Sequence, residues 1–342
     1  MPVRDDQQLR FVKGQGTGND FVILPDPDGD LDLTPELVRA LCDRRTGIGA
    51  DGVLRVVLSA AAPEAVPFVG SARWFMDHRN ADGSLAQMCG NGARVFARYL
   101  VEAGYVRPGG FVLATRAGLR RVEVPPVGDV TVEMGPPSFA ARAAAGPFAP
   151  PVSVAGREFD AVAVSMGNPH AVCFADDLDV AALRGLDLSR APRFRADDFP
   201  EGVNVEIVVD RPGGGVAMRV YERGVGETAS CGTGACAAAV AWADRHGHRP
   251  TGGTTAASAG DVGGAAGAGG AAGAGGGVGG GEVEVAVDVP GGALNVRWRA
   301  DTVLLRGPAE LVFDGAVRIG MLGGTGPIPT RPASAGGPSL RS

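Results

Sequence analysis

Two cysteines stand in near-identical settings: Cys89 in MCGNGARVFARYL and Cys231 in SCGTGACAAAVAW. Each is followed by Gly-x-Gly and then by apolar residues at helical spacing. These are Ala93, Phe96, Ala97, Leu100 and Val101 after the first, and Ala235, Ala238, Ala239, Trp242 and Ala243 after the second. The spacing predicts that each thiol sits at a helix N-terminus. There the backbone N–H groups lack internal partners and carry partial positive charge. A thiol so placed is expected to ionise more readily, and the same amides can hold a carboxylate. The glycines leave that backbone open to close approach. Two such helix starts could invert a carbon beside a carboxylate, one thiolate removing the α-proton and one thiol returning a proton to the opposite face. The charge of the intervening carbanion would rest on carboxylate oxygens, where the amides point. Acid and base must begin in opposite protonation states, so the two thiols form a coupled titration.

Cys42, Cys173 and Cys236 lack this setting and read as small buried hydrophobes. Five cysteines with no CxxC argue for free thiols and against a disulfide framework. Four histidines, none at zinc-ligand spacing from a cysteine, argue against a metal site. Pyridoxal phosphate, the usual electron sink for amino-acid racemisation, needs a Schiff-base lysine. Lys13 is the sole lysine and has no partner motif, so an enzyme without a cofactor is expected. GQGTGND is not a dinucleotide loop, because the third glycine of GxGxxG would fall at Asn19 and no helical pattern follows. It reads as a tight turn that presents Asn19.

The elements that position the thiols repeat. A Gly-Asn turn, Gly18-Asn19 or Gly167-Asn168, opens a strand in each half, and a polar residue, Asn80 or Glu222, stands nine positions before each cysteine. Thr34 and Pro35 announce a helix through Arg44, and strands are predicted at 53–58 and 73–77. Gly104 and Gly247 are placed to end the two cysteine helices. Both helices are rich in small residues and apolar on most sides, which predicts that sheet wraps each of them. Val283, Val285, Val287 and Val289 alternate with polar or small residues before Pro290-Gly291-Gly292, then Leu294, Val296 and Trp298 return as a hairpin. The fold class expected is α/β (α+β), with two pseudo-symmetric domains, each a mostly antiparallel sheet around a central helix, and the active site in the cleft between them. The halves are read as 1–133, with a returning strand at 308–321, and 134–307. The Gly/Ala-rich stretch 252–281 is expected to be a flexible insertion, and the tail 322–342 to be disordered.

A net charge of −6 with scattered arginines gives no footprint for nucleic acid. The longest apolar runs, such as 235–243, fall short of a membrane span. MPVRDDQQLR lacks a secretory pattern, so a cytoplasmic location and a small-molecule substrate are expected.

The chain resembles the diaminopimelate epimerase family over residues 10–321. The matching segments are FVKGQGTGNDF, RRTGIGADG, NADGS, MCGNGARVFARY, SMGNPHAV, FPEGVNVEIV, RVYERGVGETASCGTGACAA and GPAELVFDG. CGNGAR with ERGxGETxxCGTGA is the strong signature. The resemblance implies interconversion of LL- and meso-diaminopimelate, on the route to lysine and cell-wall precursors, by an isomerase that is a monomer or homodimer. It implies that Cys89 and Cys231 are catalytic and that substrate contacts fall on Asn19, Asn80, Gly90, Asn91, Asn168, Asn204, Glu222, Arg223, Gly232 and Thr233. In that reading Arg223 takes the distal carboxylate of the substrate bidentately and Glu222 its distal ammonium. His170 resembles a position near the active site. The chain departs from the family at Gly52, where many members carry glutamine.

A proline or hydroxyproline racemase shares paired Cys-Gly helix starts, but a small cyclic substrate has little use for Glu222, Arg223 and the asparagines as a second clamp. A thiol redox protein is the alternative of another class. Facing thiols would also close into a disulfide when the site is empty.

Overall fold

The computed structural model describes residues 8–139, 149–250 and 281–318. The expected insertion, apart from Gly281, and the expected tail lie outside the described residues, as does the end of the strand expected at 308–321. Two compact units are present among the described residues. One contains 8–15, 20–122 and 309–318, and the other 16–19, 123–139, 149–250 and 281–308. The architecture is mixed α/β, dominated by sheet, with few helices.

In the first unit the strand Gln8–Gly16 pairs antiparallel with Glu310–Arg318. Helix α1, Pro35–Cys42, begins where the Thr34 hydroxyl accepts the Leu37 amide at 3.3 Å. It stops two residues short of the expected Arg44, because the Asp43 carboxylate draws the Arg45 and Thr46 amides into a turn at 2.8 and 2.6 Å. This helix is the crossover that makes Asn19–Pro25 parallel to Gly52–Leu58. Gly52–Leu58 runs antiparallel to Trp74–Asn80, which is parallel to Gly109–Thr115. Helix α2, Gly90–Glu102, buries Phe96 and Leu100 completely, and Gly104 follows it at φ +75°.

The second unit repeats this order. Pro169–Phe174 is parallel to Asn204–Asp210, which is antiparallel to Val216–Glu222, which is parallel to Val283–Val289. The short helix α3, Val180–Arg184, lies in the crossover between the first two of these strands. Helix α4, Gly232–Arg245, follows the third strand as α2 does in the first unit. The parallel pairs interrupt the antiparallel pattern at matching places in the two units, wherever a crossover separates the paired strands. The hairpin from Val283–Val289 to Gly292–Trp298 closes with Val289 opposite Gly292.

Seven strands of the second unit pack against α4, from Val162–Ser165 to Val303–Gly307. They can do so because Ala235, Ala237, Ala238, Ala239, Ala241 and Ala243, all essentially buried, keep the helix thin. Helix α2 is less apolar than expected, since it buries Arg94 and Arg98 as well.

His78, on the strand Trp74–Asn80, is buried, and its Nδ1 has no hydrogen-bond partner. Burial and the Arg116 charge, against Asp77, lower it from 6.5 to about 4. The unfolded chain therefore binds a proton that the folded chain refuses, and stability falls as pH drops from 6.5 towards 4. The loss across that window is about 3 kcal/mol. In urea denaturation, His78→Gln should remove that part of the acid sensitivity relative to the parent protein.

Candidate active site

Helices α2 and α4 each begin on a cysteine. Cys89 is the N-cap of α2 and Cys231 that of α4, both in extended backbone. Each sulfur accepts the amide three residues on, Gly92 or Gly234, at 3.4 Å. Gly90 and Gly232 are the first residues of their helices, and Asn91 and Thr233 the second. Cys89 is half-buried, whereas Cys231 is buried. Cys42, Cys173 and Cys236 are buried too, and burial pushes Cys42 up to about 12.

Around Cys231 the second unit gathers most of the expected residues. The Thr233 hydroxyl lies 3.4 Å from the sulfur. Asn168 Nδ2 donates to Thr233 Oγ1 at 3.3 Å, and Asn168 Oδ1 lies 3.0 Å from His170 Nε2. His170 is wholly buried, with Nδ1 2.7 Å from Glu206 Oε1. Asn204 is held at both ends of its amide. It donates to the Pro169 carbonyl at 3.1 Å and accepts the Arg223 amide at 2.9 Å, so it ties two loops together. The Arg223 guanidinium is partly exposed and leans over Gly202 to the Glu201 carbonyl at 2.7 Å.

Glu222 is placed differently from the distal clamp read from the sequence. Its carboxyl accepts the Thr228 hydroxyl and interacts electrostatically with the Cys231 thiol. Burial raises its pKa. The ionisation of Cys231 also runs against expectation. Burial pushes the thiol well above its ordinary value, and the Glu222 and Glu206 carboxylates add to this, outweighing the Thr233 hydroxyl and the Gly234 amide. A helix N-terminus lowers a thiol only while the thiol stays solvated or faces cations.

Asn19 opens its strand at the end of a turn that belongs to the second unit. Thr17 holds φ 51° there, rare for a β-branched residue. Its hydroxyl lies 3.0 Å from that of Ser230, the residue before Cys231. The turn also nests on Gly291, where a Cβ would fall 1.8 Å from the Thr17 carbonyl oxygen. In the first unit, Asn80 ends its strand and donates to Ser84 Oγ at 2.9 Å within the NADGS turn. Gly52 lies opposite Asn80. A Cβ on Gly52 would meet the Arg79 carbonyl oxygen at 2.6 Å, so this backbone accommodates glycine as it stands.

Lys13 is ion-paired to Asp20 at 2.6 Å and also donates to the Gly49 carbonyl. Although burial opposes it, Arg44 and Lys13 hold Asp20 at about 2. The one lysine amine is thus committed to a half-buried carboxylate and does not fit a Schiff-base role. Among the described residues no cluster of His, Cys, Asp and Glu could hold a metal ion, and no helix is long and apolar enough to cross a membrane.

Sequence reading passed over Glu206. It is an acid inside the buried strand Asn204–Asp210, and that break in an apolar run was its only signal.

Among solved structures the chain is similar to a PhzF-family phenazine biosynthesis protein of Bacillus anthracis, with TM-score 0.59, 14% identity, and coverage of 91% of this chain and 99% of that one. It is also similar to a hydroxyproline epimerase of Agrobacterium vitis, with TM-score 0.57, 15% identity and 91% coverage of both chains. These likenesses define the fold class, two-domain α/β proteins of the PhzF and proline racemase type. Within that class, residues 11–140 and 162–263 match the diaminopimelate epimerase family. The diaminopimelate epimerase of Streptomyces coelicolor is 50% identical over 90% of this chain and 95% of its own length. That of Thermobifida fusca is 44% identical over 92% and 100%. The chain belongs to the diaminopimelate epimerase family.

In the ligand-free protein at neutral pH, iodoacetamide should alkylate Cys231 more slowly than an unperturbed thiol. Glu222→Gln, which removes one of the two facing carboxylates, should speed that alkylation severalfold, as read by peptide mass spectrometry.

Proposed function

We propose that this protein epimerises LL-diaminopimelate to meso-diaminopimelate, with Cys89 and Cys231 as the acid–base pair and no cofactor. The observation that carries the mechanism is the repeated cap. Two sulfurs, each at the start of a helix, share the same relation to a Cys-Gly-x-Gly backbone. Family membership supports the substrate.

The amides of Gly90 and Asn91 and those of Gly232 and Thr233 are suited to hold the reacting carboxylate and to take up its charge as the α-proton leaves. One sulfur removes that proton as thiolate and the other delivers one as thiol, from opposite faces of the α-carbon. In the ligand-free protein Cys231 favours the thiol, which suits the donor. Glu222, beside that thiol and itself raised by burial, can take the thiol proton when the reaction runs the other way. Its place against sulfur supports this role over that of an ammonium clamp. Arg223, with its guanidinium partly exposed, is suited to the distal carboxylate, and Asn19, Asn80, Asn168 and Asn204 to orienting the rest. His170 is suited to supporting the Cys231 side. The domain boundaries proposed are 1–133 with 308–321, and 134–307. The reading includes a cytoplasmic enzyme that is monomeric or homodimeric.

With reduced protein in D2O and no added cofactor, LL-diaminopimelate should convert to the meso isomer carrying deuterium at one α-carbon. Cys89→Ala and Cys231→Ala should each abolish epimerisation. An unchanged substrate would reject the substrate class and make proline and hydroxyproline the next trial. Survival of activity in either variant would reject the two-thiol mechanism. Arg223→Ala should raise KM by on the order of tenfold or more through loss of a charge-assisted contact.

A further inference from the structure

The strands that precede the two cysteine helices pair in the same order in both units, so positions along them can be matched. Phe21 lies opposite Gly52 as His170 lies opposite Asn204, so Phe21 corresponds to His170 and Leu54 to Glu206. The second glycine of each cysteine motif touches that slot. A Cβ on Gly92 would make ordinary contacts at 3.4 Å with Leu54 and Phe21, whereas one on Gly234 would fall 2.6 Å from Glu206 Oε1. The same place beneath a helix start is therefore filled by a Phe–Leu pair in one unit and by a buried His–Glu pair in the other. A buried ionisable pair is commonly no more stabilising than an apolar pair of similar volume. The first unit shows that this fold accepts the apolar solution. Stability alone thus gives no reason for the polar one.

We propose that Glu206 is a positioning residue that, through His170, orients a hydrogen-bond relay ending on the Cys231 sulfur. Asn168 Oδ1 can only accept, so the His170 Nε2 facing it at 3.0 Å carries a proton. Glu206 makes that possible. His170 Nδ1 and Glu206 Oε1, 2.7 Å apart, can share a second proton, written either as imidazolium with carboxylate or as imidazole with carboxylic acid. The pair has the same net charge in both forms. With Asn168 Oδ1 engaged, its Nδ2 faces Thr233 Oγ1. The Thr233 hydroxyl accepts there and is left to give its own proton to Cys231, 3.4 Å away. The sulfur then receives two donors, Thr233 Oγ1–H and Gly234 N–H, which stabilise its thiolate against the burial and the carboxylates that on balance keep it protonated. If His170 instead carried its single proton on Nδ1, every bond in the relay would reverse, Asn168 would turn over and Thr233 would accept from the thiol. Glu206 selects the first direction. In the first unit Phe21 and Leu54 occupy the matching slot. The relay thus distinguishes the setting of Cys231. This inference rests on the two-thiol reading for its kinetic part only.

The test combines a ring-nitrogen measurement on the substrate-free protein with kinetics. In protein labelled with 15N-histidine at neutral pH, His170 should show a protonated Nε2. In Glu206→Gln, which keeps the shape of the side chain, that population should fall, and kcat should drop on the order of tenfold or more with KM little changed. Thr233→Val should lose kcat likewise, while Thr233→Ser should restore most of it. A bare Nε2 in the parent protein, parent-like kcat in Glu206→Gln, or equal activity in the Val and Ser variants at position 233 would each overturn the proposal. Should Glu206→Gln fail to fold, the parent spectrum and the position-233 pair still decide. A protein inactive on diaminopimelate but with Nε2 protonated would fault the substrate assignment and leave the relay standing.

Discussion

The first amides of a helix must be answered by something, and in α2 and α4 the answer is a cysteine sulfur. Most helices are capped by an oxygen, and nothing reactive depends on it. Here the atom that terminates the helix is a thiol sulfur. The sulfur's position is thus fixed by the hydrogen-bond pattern that makes the helix. It cannot be moved without unwinding a turn whose far side is buried in sheet. Everything else follows from keeping those two turns rigid. In α4 this is done with alanine, which lets seven strands pack against the helix. In α2 larger side chains such as Phe96 and Leu100 do it.

The strand order around the two helices is the same, but the residues that fill it are not. A phenylalanine and a leucine in one unit become a histidine and a glutamate in the other, and Asn80 has Glu222 as its counterpart. Two thiols with identical surroundings would titrate alike. Different buried residues under matching strand pairings give them different surroundings, at the cost of burying acids in one unit.

Much of this was readable from the chain. Thr34 and the two Cys-Gly-x-Gly starts were legible because capping is local, set by residues within one turn. The Gly-Asn turns and the Val283–Val289 hairpin were legible for the same reason. The crossover pairings were not, since parallel strands leave no periodic mark of their own in sequence. Glu206 gains its meaning only when its strand lies parallel to that of His170, and sequence does not reveal this pairing. Glu222 was visible only as a polar residue nine positions before Cys231, and reads from sequence as a clamp for the distal ammonium. Its contact with the sulfur, however, depends on how the strand ends at the hairpin to Gly226–Thr228. The thiol's raised pKa was misjudged because the helix end is apparent in sequence, while the burial and the two acids that outweigh it are not.

The turn at 16–19 belongs to the second unit although the strands it joins begin and end in the first, and the strand Glu310–Arg318 returns to the first after the second is complete. The two units are therefore interleaved along the chain in more than one place. No single division of the gene separates them: a cut near residue 122 would deprive the second half of the turn that seats against Ser230 and Gly291, and the first half of its edge strand. A lineage carrying this fold can exchange neither half for a foreign one by simple recombination at the boundary. The Phe–Leu pair in one unit and the His–Glu pair in the other lie in halves that one uninterrupted chain must supply together.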